Sequence, residues 1–132
     1  MSSSQYDFTI EQGSSFTLGL TYNDSNNNPI DITGWCARLV FITDENTQYL
    51  FSTTNLDPSL YSFTIDGPLG RIELKIPASV TNDYNFLNAK YDLELQSTSD
   101  LYTGGGNIVE RLLYGNIFIA KRYSETNDLL QC

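Results

Sequence analysis

The chain has 132 residues, 40% of them hydrophobic, with nine Tyr and seven Phe, a content rich in strand formers. Seven Lys and Arg against sixteen Asp and Glu give a formal charge of −9 and a pI near 4.1, so nucleic acid and anionic membrane are repelled at long range. No histidine is present, which removes the commonest metal ligand and general base.

This length predicts one domain burying roughly two thirds of its unfolded surface. The opening M-S-S-S-Q-Y-D-F lacks the basic and apolar regions of a secretory signal, and no apolar run reaches transmembrane length. The expectation is a protein made, folded and assembled in the cytosol. In a reducing compartment Cys36 and Cys132 read as separate thiols, Cys36 in or near the core and Cys132 on a loose tail.

Along the chain, Tyr6, Phe8 and Ile10 alternate with polar residues as a short opening strand, and Gln12-Gly13-Ser14 turns it. Phe16, Leu18, Leu20 and Tyr22 form an amphipathic strand. Asn23–Asn28 is a polar loop closed by Pro29. A long strand over Cys36–Thr43 follows Trp35, with Trp35, Ala37, Leu39 and Phe41 predicted inward and Cys36, Arg38 and Val40 outward. Tyr49–Phe51 reads as an edge strand and Ser52–Tyr61 as an irregular connection. Phe63 and Ile65 mark a short strand before the turn Asp66–Gly70. Ile72, Leu74 and Ile76 give the cleanest period-two segment, ended by Pro77, after which Ala78–Tyr84 suits one helical turn. Ala89, Tyr91, Leu93 and Leu95 alternate again. Ser97–Asn107, with Gly104–Gly106, reads as a flexible loop into the last strand.

That last strand, Glu110–Arg122, is apolar on both sides. Arg111, Leu113, Gly115, Ile117 and Ile119 make one face; Leu112, Tyr114, Asn116, Phe118 and Ala120 make the other. Gly115 is expected to mark a bend or bulge. With one face in the core, Leu112, Tyr114 and Phe118 are predicted to emerge outside as an interface, the alternative being that a loop such as Ser97–Asn107 covers them within the subunit. In the tail, Leu129 and Leu130 are the residues suited to dock into a neighbour. The expected division is a β-domain over 1–124 and a flexible tail over 125–132. Some eight short strands without a convincing helix predict an all-β, immunoglobulin-like antiparallel sandwich.

Candidate chemistry is thin. Asp24, Asn26 and Asn28 alternate as in a calcium loop, but the places that want Gly and Glu hold Pro29 and Trp35, so a solvated hairpin loop is the better reading. The triple glycine has no Lys-Ser/Thr after it and opens a strand, so it is no phosphate cradle. Asp92 and Glu94 share a face with Lys90, a mixed-charge surface rather than a proton-sharing pair. Without histidine no base activates a nucleophile. The expectation is a non-enzyme with no catalytic, metal or cofactor-binding residues, whose function lies in a surface.

Three segments resemble a small β-sandwich family of tailed-phage virions. Asp31-Ile32-Thr33-Gly34-Trp35-Cys36-Ala37-Arg38-Leu39 resembles its signature D-L-T-G-Y-T-A-R followed by Met or Leu. Gly70-Arg71-Ile72-Glu73-Leu74 is similar to its G-x-I-x-L strand. Tyr91-Asp92-Leu93-Glu94-Leu95 and Arg111-Leu112-Leu113-Tyr114-Gly115-Asn116-Ile117 resemble its ending, Y-D-L-E-L and then R-L-L-x-G-x with Ile or Val. The likeness covers about residues 6–123; the long Asp44–Ser62 and Ser97–Asn107 segments and the tail depart from the simplest members. The family holds siphophage tail-collar proteins, long-tail-fibre adaptors and baseplate pieces. The resemblance implies a non-enzymatic tail collar or baseplate-periphery subunit of the virion, assembled in the host cytoplasm. Its partners would be copies of itself in a ring and other tail or fibre proteins, with neither nucleic acid nor membrane. The rival reading is a monomeric carbohydrate-binding or adhesin-like module, and a cytosolic hydrolase is a formal third.

Overall fold

A computed structural model describes residues 4–54, 56–97 and 108–122. The alternating segments become nine strands: β1 (Ser4–Gln5), β2 (Phe8–Glu11), β3 (Phe16–Thr21), β4 (Cys36–Thr43), β5 (Gln48–Ser52), β6 (Ser62–Asp66), β7 (Arg71–Ile76), β8 (Asn88–Gln96) and β9 (Val109–Ala120). One short helix, α1 (Ala78–Thr81), follows Pro77. The chain is all-β. A six-stranded sheet runs β1-β9-β8-β4-β5 with β2 also on β9, and a three-stranded sheet runs β3-β7-β6.

Period-two patterning decides which side chains are buried. In β8, Ala89, Tyr91, Leu93 and Leu95 are buried while Asn88, Lys90 and Gln96 are exposed. In β7, Ile72, Leu74 and Ile76 are buried. Leu39, Leu74, Leu93 and Ile117, from four strands and both sheets, lie in one core cluster. Each such side chain is worth about 1.5–3 kcal/mol of burial. Phe41 is the centre of an aromatic group, its ring centroid 4.8 Å from Tyr49, 5.6 Å from Phe86 and 6.0 Å from Tyr84.

Four expectations need correction. Trp35 is only half-buried: it sits in the turn ahead of β4, at the rim of the core, with its ring 6.3 Å from that of Tyr22. The opening strand is two pieces, and both pair parallel to β9 where every other strand pair is antiparallel. Gly115 is the reason the two pieces can lie there. The Tyr6–Asp7 backbone passes over it so closely that a Cβ at 115 would stand 2.6 Å from the Tyr6 carbonyl and 2.5 Å from Asp7 Oδ1. The Tyr6 N–H donates to the Tyr114 carbonyl, and the Asn116 N–H donates to Asp7 Oδ1. Gly115 therefore serves a close approach and not a bulge.

The bulge lies elsewhere in β9. Leu93 pairs with Leu113 but Glu94 pairs with Arg111, leaving Leu112 as the extra residue. A bulge resets the alternation. Leu112 consequently turns inward, 7% exposed, and belongs to the core and not to the outer face predicted for it. Of the expected loop Ser97–Asn107, Ser97 is buried and donates its N–H to the Ile108 carbonyl; residues 98–107 and the expected tail over 125–132, with Leu129, Leu130 and Cys132, lie outside the described residues.

Candidate functional surface

The three segments quoted above lie next to one another in the fold. Asp31 Oδ1 accepts from the Thr33 N–H and hydroxyl, at 2.9 and 2.5 Å, which holds its carboxyl below the usual carboxylate range. The Trp35 N–H closes the turn onto the Ile32 carbonyl, with Gly34 at φ +81°. Ile32 N–H then donates to the Gly67 carbonyl, beside the second segment, and Ile30 N–H to the Tyr22 carbonyl. Gly70, at φ +63°, is pressed against the Ile30 and Tyr22 carbonyls; any Cβ there would be 2.8 Å from both. The third segment joins through register, Leu39 opposite Leu93 and Leu93 opposite Leu113. Beside it the Tyr22 hydroxyl donates to Glu110 Oε2 at 2.6 Å; burial first, and then that carboxylate, push the phenol's pKa up.

The outer face of the six-stranded sheet is the candidate surface. Register places Leu50 beside Val40, and Val40 beside Asp92, which lies opposite Tyr114. One pleat along, Ile42, Lys90 and Asn116 form the next row, and Asn88 and Phe118 another. Lys90, Asp92 and Glu94 thus make a charged stripe down β8. Leu50, Val40 and Ile42 flank it on one side, Tyr114 and Phe118 on the other. Leu50, Ile42 and Phe118 are 49%, 47% and 46% exposed. A shallow depression of about 450 Å³ lies over Val40, Ile42, Lys90 and Asp92.

Of the predicted interface residues, Tyr114 and Phe118 are therefore on this face, Leu112 is not, and Leu129 and Leu130 are undescribed. Sequence reasoning put Val40 on the outer side of its strand but did not add Val40, Ile42 and Leu50 to the interface, although the polar-free run Leu39–Ile42 carried the signal: a strand apolar on both sides.

The surface offers little for covalent chemistry. Glu94 is tied to Arg38 at 2.5 Å, and that carboxylate raises the guanidinium's pKa; half-buried Asp92 shares the outer face with Lys90. The Asp24 carboxylate, the anchor of the calcium reading, accepts from the Asn26 and Asn28 N–H groups of its own loop. Among the described residues no three Asp, Glu or Cys converge. The Arg111 guanidinium stands 4.9 Å over one face of the Tyr114 ring. No helix is long and apolar enough to cross a membrane, among the described residues. No protein-family model matches the chain, and no curated protein matches it.

Proposed function

We propose that the chain is a non-enzymatic structural subunit of a tailed-phage virion, a collar or baseplate-periphery component that assembles around the tail and anchors fibres. The observation that carries the reading is the adjacency of the quoted segments. The turn Asp31–Trp35 bonds to Gly67 just ahead of the Gly70 strand, Gly70 packs against Ile30 and Tyr22 beside that turn, and Leu39 pairs with β8, so the quoted segments are neighbours in the fold. That these places are neighbours is what supports reading the scattered likeness together. On this reading the two sheets form an immunoglobulin-like sandwich, the chain works as a homo-oligomer with tail or fibre proteins as partners, and it needs no cofactor. Its mixed apolar outer sheet face suits packing against protein.

Native mass spectrometry and electron microscopy of the purified protein, alone and with a tail-tube or fibre protein, test this. The expected result is a ring, or binding to a ring. A chain that stays monomeric with those proteins and is retained on immobilised glycans is instead the adhesin-like module.

A further inference from the structure

The β5 edge of the six-stranded sheet is unfinished over a short window. Strand residues present their N–H and C=O to alternate sides. Thr53 N–H donates to the Ala37 carbonyl and Thr47 C=O accepts from Thr43 N–H, so odd-numbered residues of this strand face β4. Ser52 faces the other way, and there the Tyr61 hydroxyl stands in for a neighbouring strand: it accepts from Ser52 N–H at 3.0 Å and donates to Ser52 C=O at 3.3 Å. By the same alternation, the backbone groups of Gln48 and Leu50 point out of the sheet. Among the described residues nothing bonds them on that side.

Exposed edges are normally blunted by charge, proline or a bulge. Gln48-Tyr49-Leu50-Phe51-Ser52 has none of these, in a chain of net charge −9. The other edges do carry charge. β2 ends in Glu11 and is preceded by Asp7, β6 ends in Asp66, and Arg71 lies over Gly19 at the centre of β3. A second copy of a strongly acidic chain meets no like charge along β5 itself.

We infer that two copies of this chain pair through their β5 edges about a two-fold axis at Tyr49, joining their six-stranded sheets into one. Gln48 of one copy lies opposite Leu50 of the other, and about four interchain hydrogen bonds form in the antiparallel ladder. Tyr49, half-buried on the flank of the Phe41 aromatic group, meets its counterpart and loses its remaining exposure. The pairing stops at Ser52, where Tyr61 already fills the edge. It is independent of the phage reading and adds an isologous contact to any ring built through another face.

Proline separates this interface from the fold, because the Leu50 N–H is not used by β4 and proline is tolerated at such edge positions. Leu50→Pro and Gln48→Pro are compared with the unchanged chain by native mass and by hydrogen exchange. The unchanged chain is expected to form even-numbered species at concentrations up to about 100 µM, the range a small interface reaches. Each proline variant is expected to halve the mass, toward 14.9 kDa for a simple dimer, without lowering the melting temperature. A monomeric unchanged chain, or folded proline variants of undiminished mass, overturns the proposal. Should both variants unfold, exchange in the unchanged chain decides: slow exchange at Gln48 and Leu50 supports the pairing, and fast exchange there overturns it.

Discussion

The two sheets bury similar inner faces but show solvent very different outer ones. The three-stranded sheet presents Thr17, Thr21, Ser62, Thr64, Asp66, Arg71, Glu73 and Lys75, with Glu73 reaching Arg71 and Lys75 at 3.4 Å each. The six-stranded sheet presents Val40, Ile42, Leu50, Tyr114 and Phe118 around a charged stripe. Single exposed apolar residues are ordinary. Here one sheet avoids them completely and the other groups them on paired positions, so folding alone does not call for them. The polar face is what a strand of this core looks like when only the core is being served. Its ion pairs add little stability, being exposed. The difference makes the larger sheet's outer face the place to test for contact with a partner.

The largest effects should come from the faces on which the two sheets agree. Leu74→Ala beneath one sheet and Leu93→Ala beneath the other are each expected to cost about 2–5 kcal/mol by chemical denaturation. Leu112→Ala belongs with them, at about 2–4 kcal/mol, because the bulge has carried it inside. If Leu112→Ala unfolds at the denaturant concentration of the unchanged chain, Leu112 faces solvent and the bulge is misplaced.

Leu112 also marks what the sequence could and could not reveal. Strand positions, turns and the inward set Ala37, Leu39, Phe41, Ile72, Leu74, Leu93 and Leu95 follow from alternation, a local property. A bulge depends on the partner's register, and nothing within Arg111–Tyr114 states which residue its neighbour will skip. The adjacent Leu112-Leu113 pair was the available hint: both are now turned toward the core. The parallel N-terminal strands were hidden for a related reason. Gly115 announces that something comes close but not that the something lies more than a hundred residues away. On the candidate face, the apolar content of β9 was legible, while its continuation across β4 and β5 required the pairing.

A middle-sized effect tests how the N-terminal strands complete the larger sheet. Gly115→Ala drives a methyl into the Tyr6 carbonyl and the Asp7 carboxylate and should cost about 1–3 kcal/mol. Hydrogen exchange should quicken at Tyr6 and Asn116, whose N–H groups close that crossing. Unchanged protection at both amides would separate Gly115 from the seating of β1 and β2.

The shared interior between the two outer faces makes a further prediction. Burial is the main cause that raises the pKa of the Tyr22, Tyr84 and Tyr91 phenols above the ordinary 10.0. In the folded chain they keep protons that the unfolded chain releases above that value. Their contribution is therefore whole below pH 10 and falls as pH rises past it, by at most about 1.4 kcal/mol per pH unit for each. Tyr22→Phe should flatten the alkaline decline in the denaturation midpoint; an equally steep decline would mean that Tyr22 ionises as freely folded as unfolded.

The smallest effect on stability sharpens the comparison most. Phe118→Lys on the apolar outer face and Thr64→Lys on the polar one both alter exposed strand residues, and both should move the monomer's stability by no more than about 0.5 kcal/mol. They should part company in association. Lysine at 118 places a charge where a neighbour must remove water, and leaving a charge desolvated and unpaired costs far more than the exposed substitution itself. Lysine at 64 joins a face already carrying Arg71 and Lys75. The expected outcome is that Phe118→Lys weakens binding to a ring or fibre partner while Thr64→Lys leaves it intact, with both melting curves superposable on that of the unchanged chain. The β5 pairing should survive both, since neither residue lies on that edge. If Phe118→Lys melts the isolated domain, the residue is part of the core. If both variants bind as the unchanged chain does, the contrast between the two outer faces has no bearing on assembly.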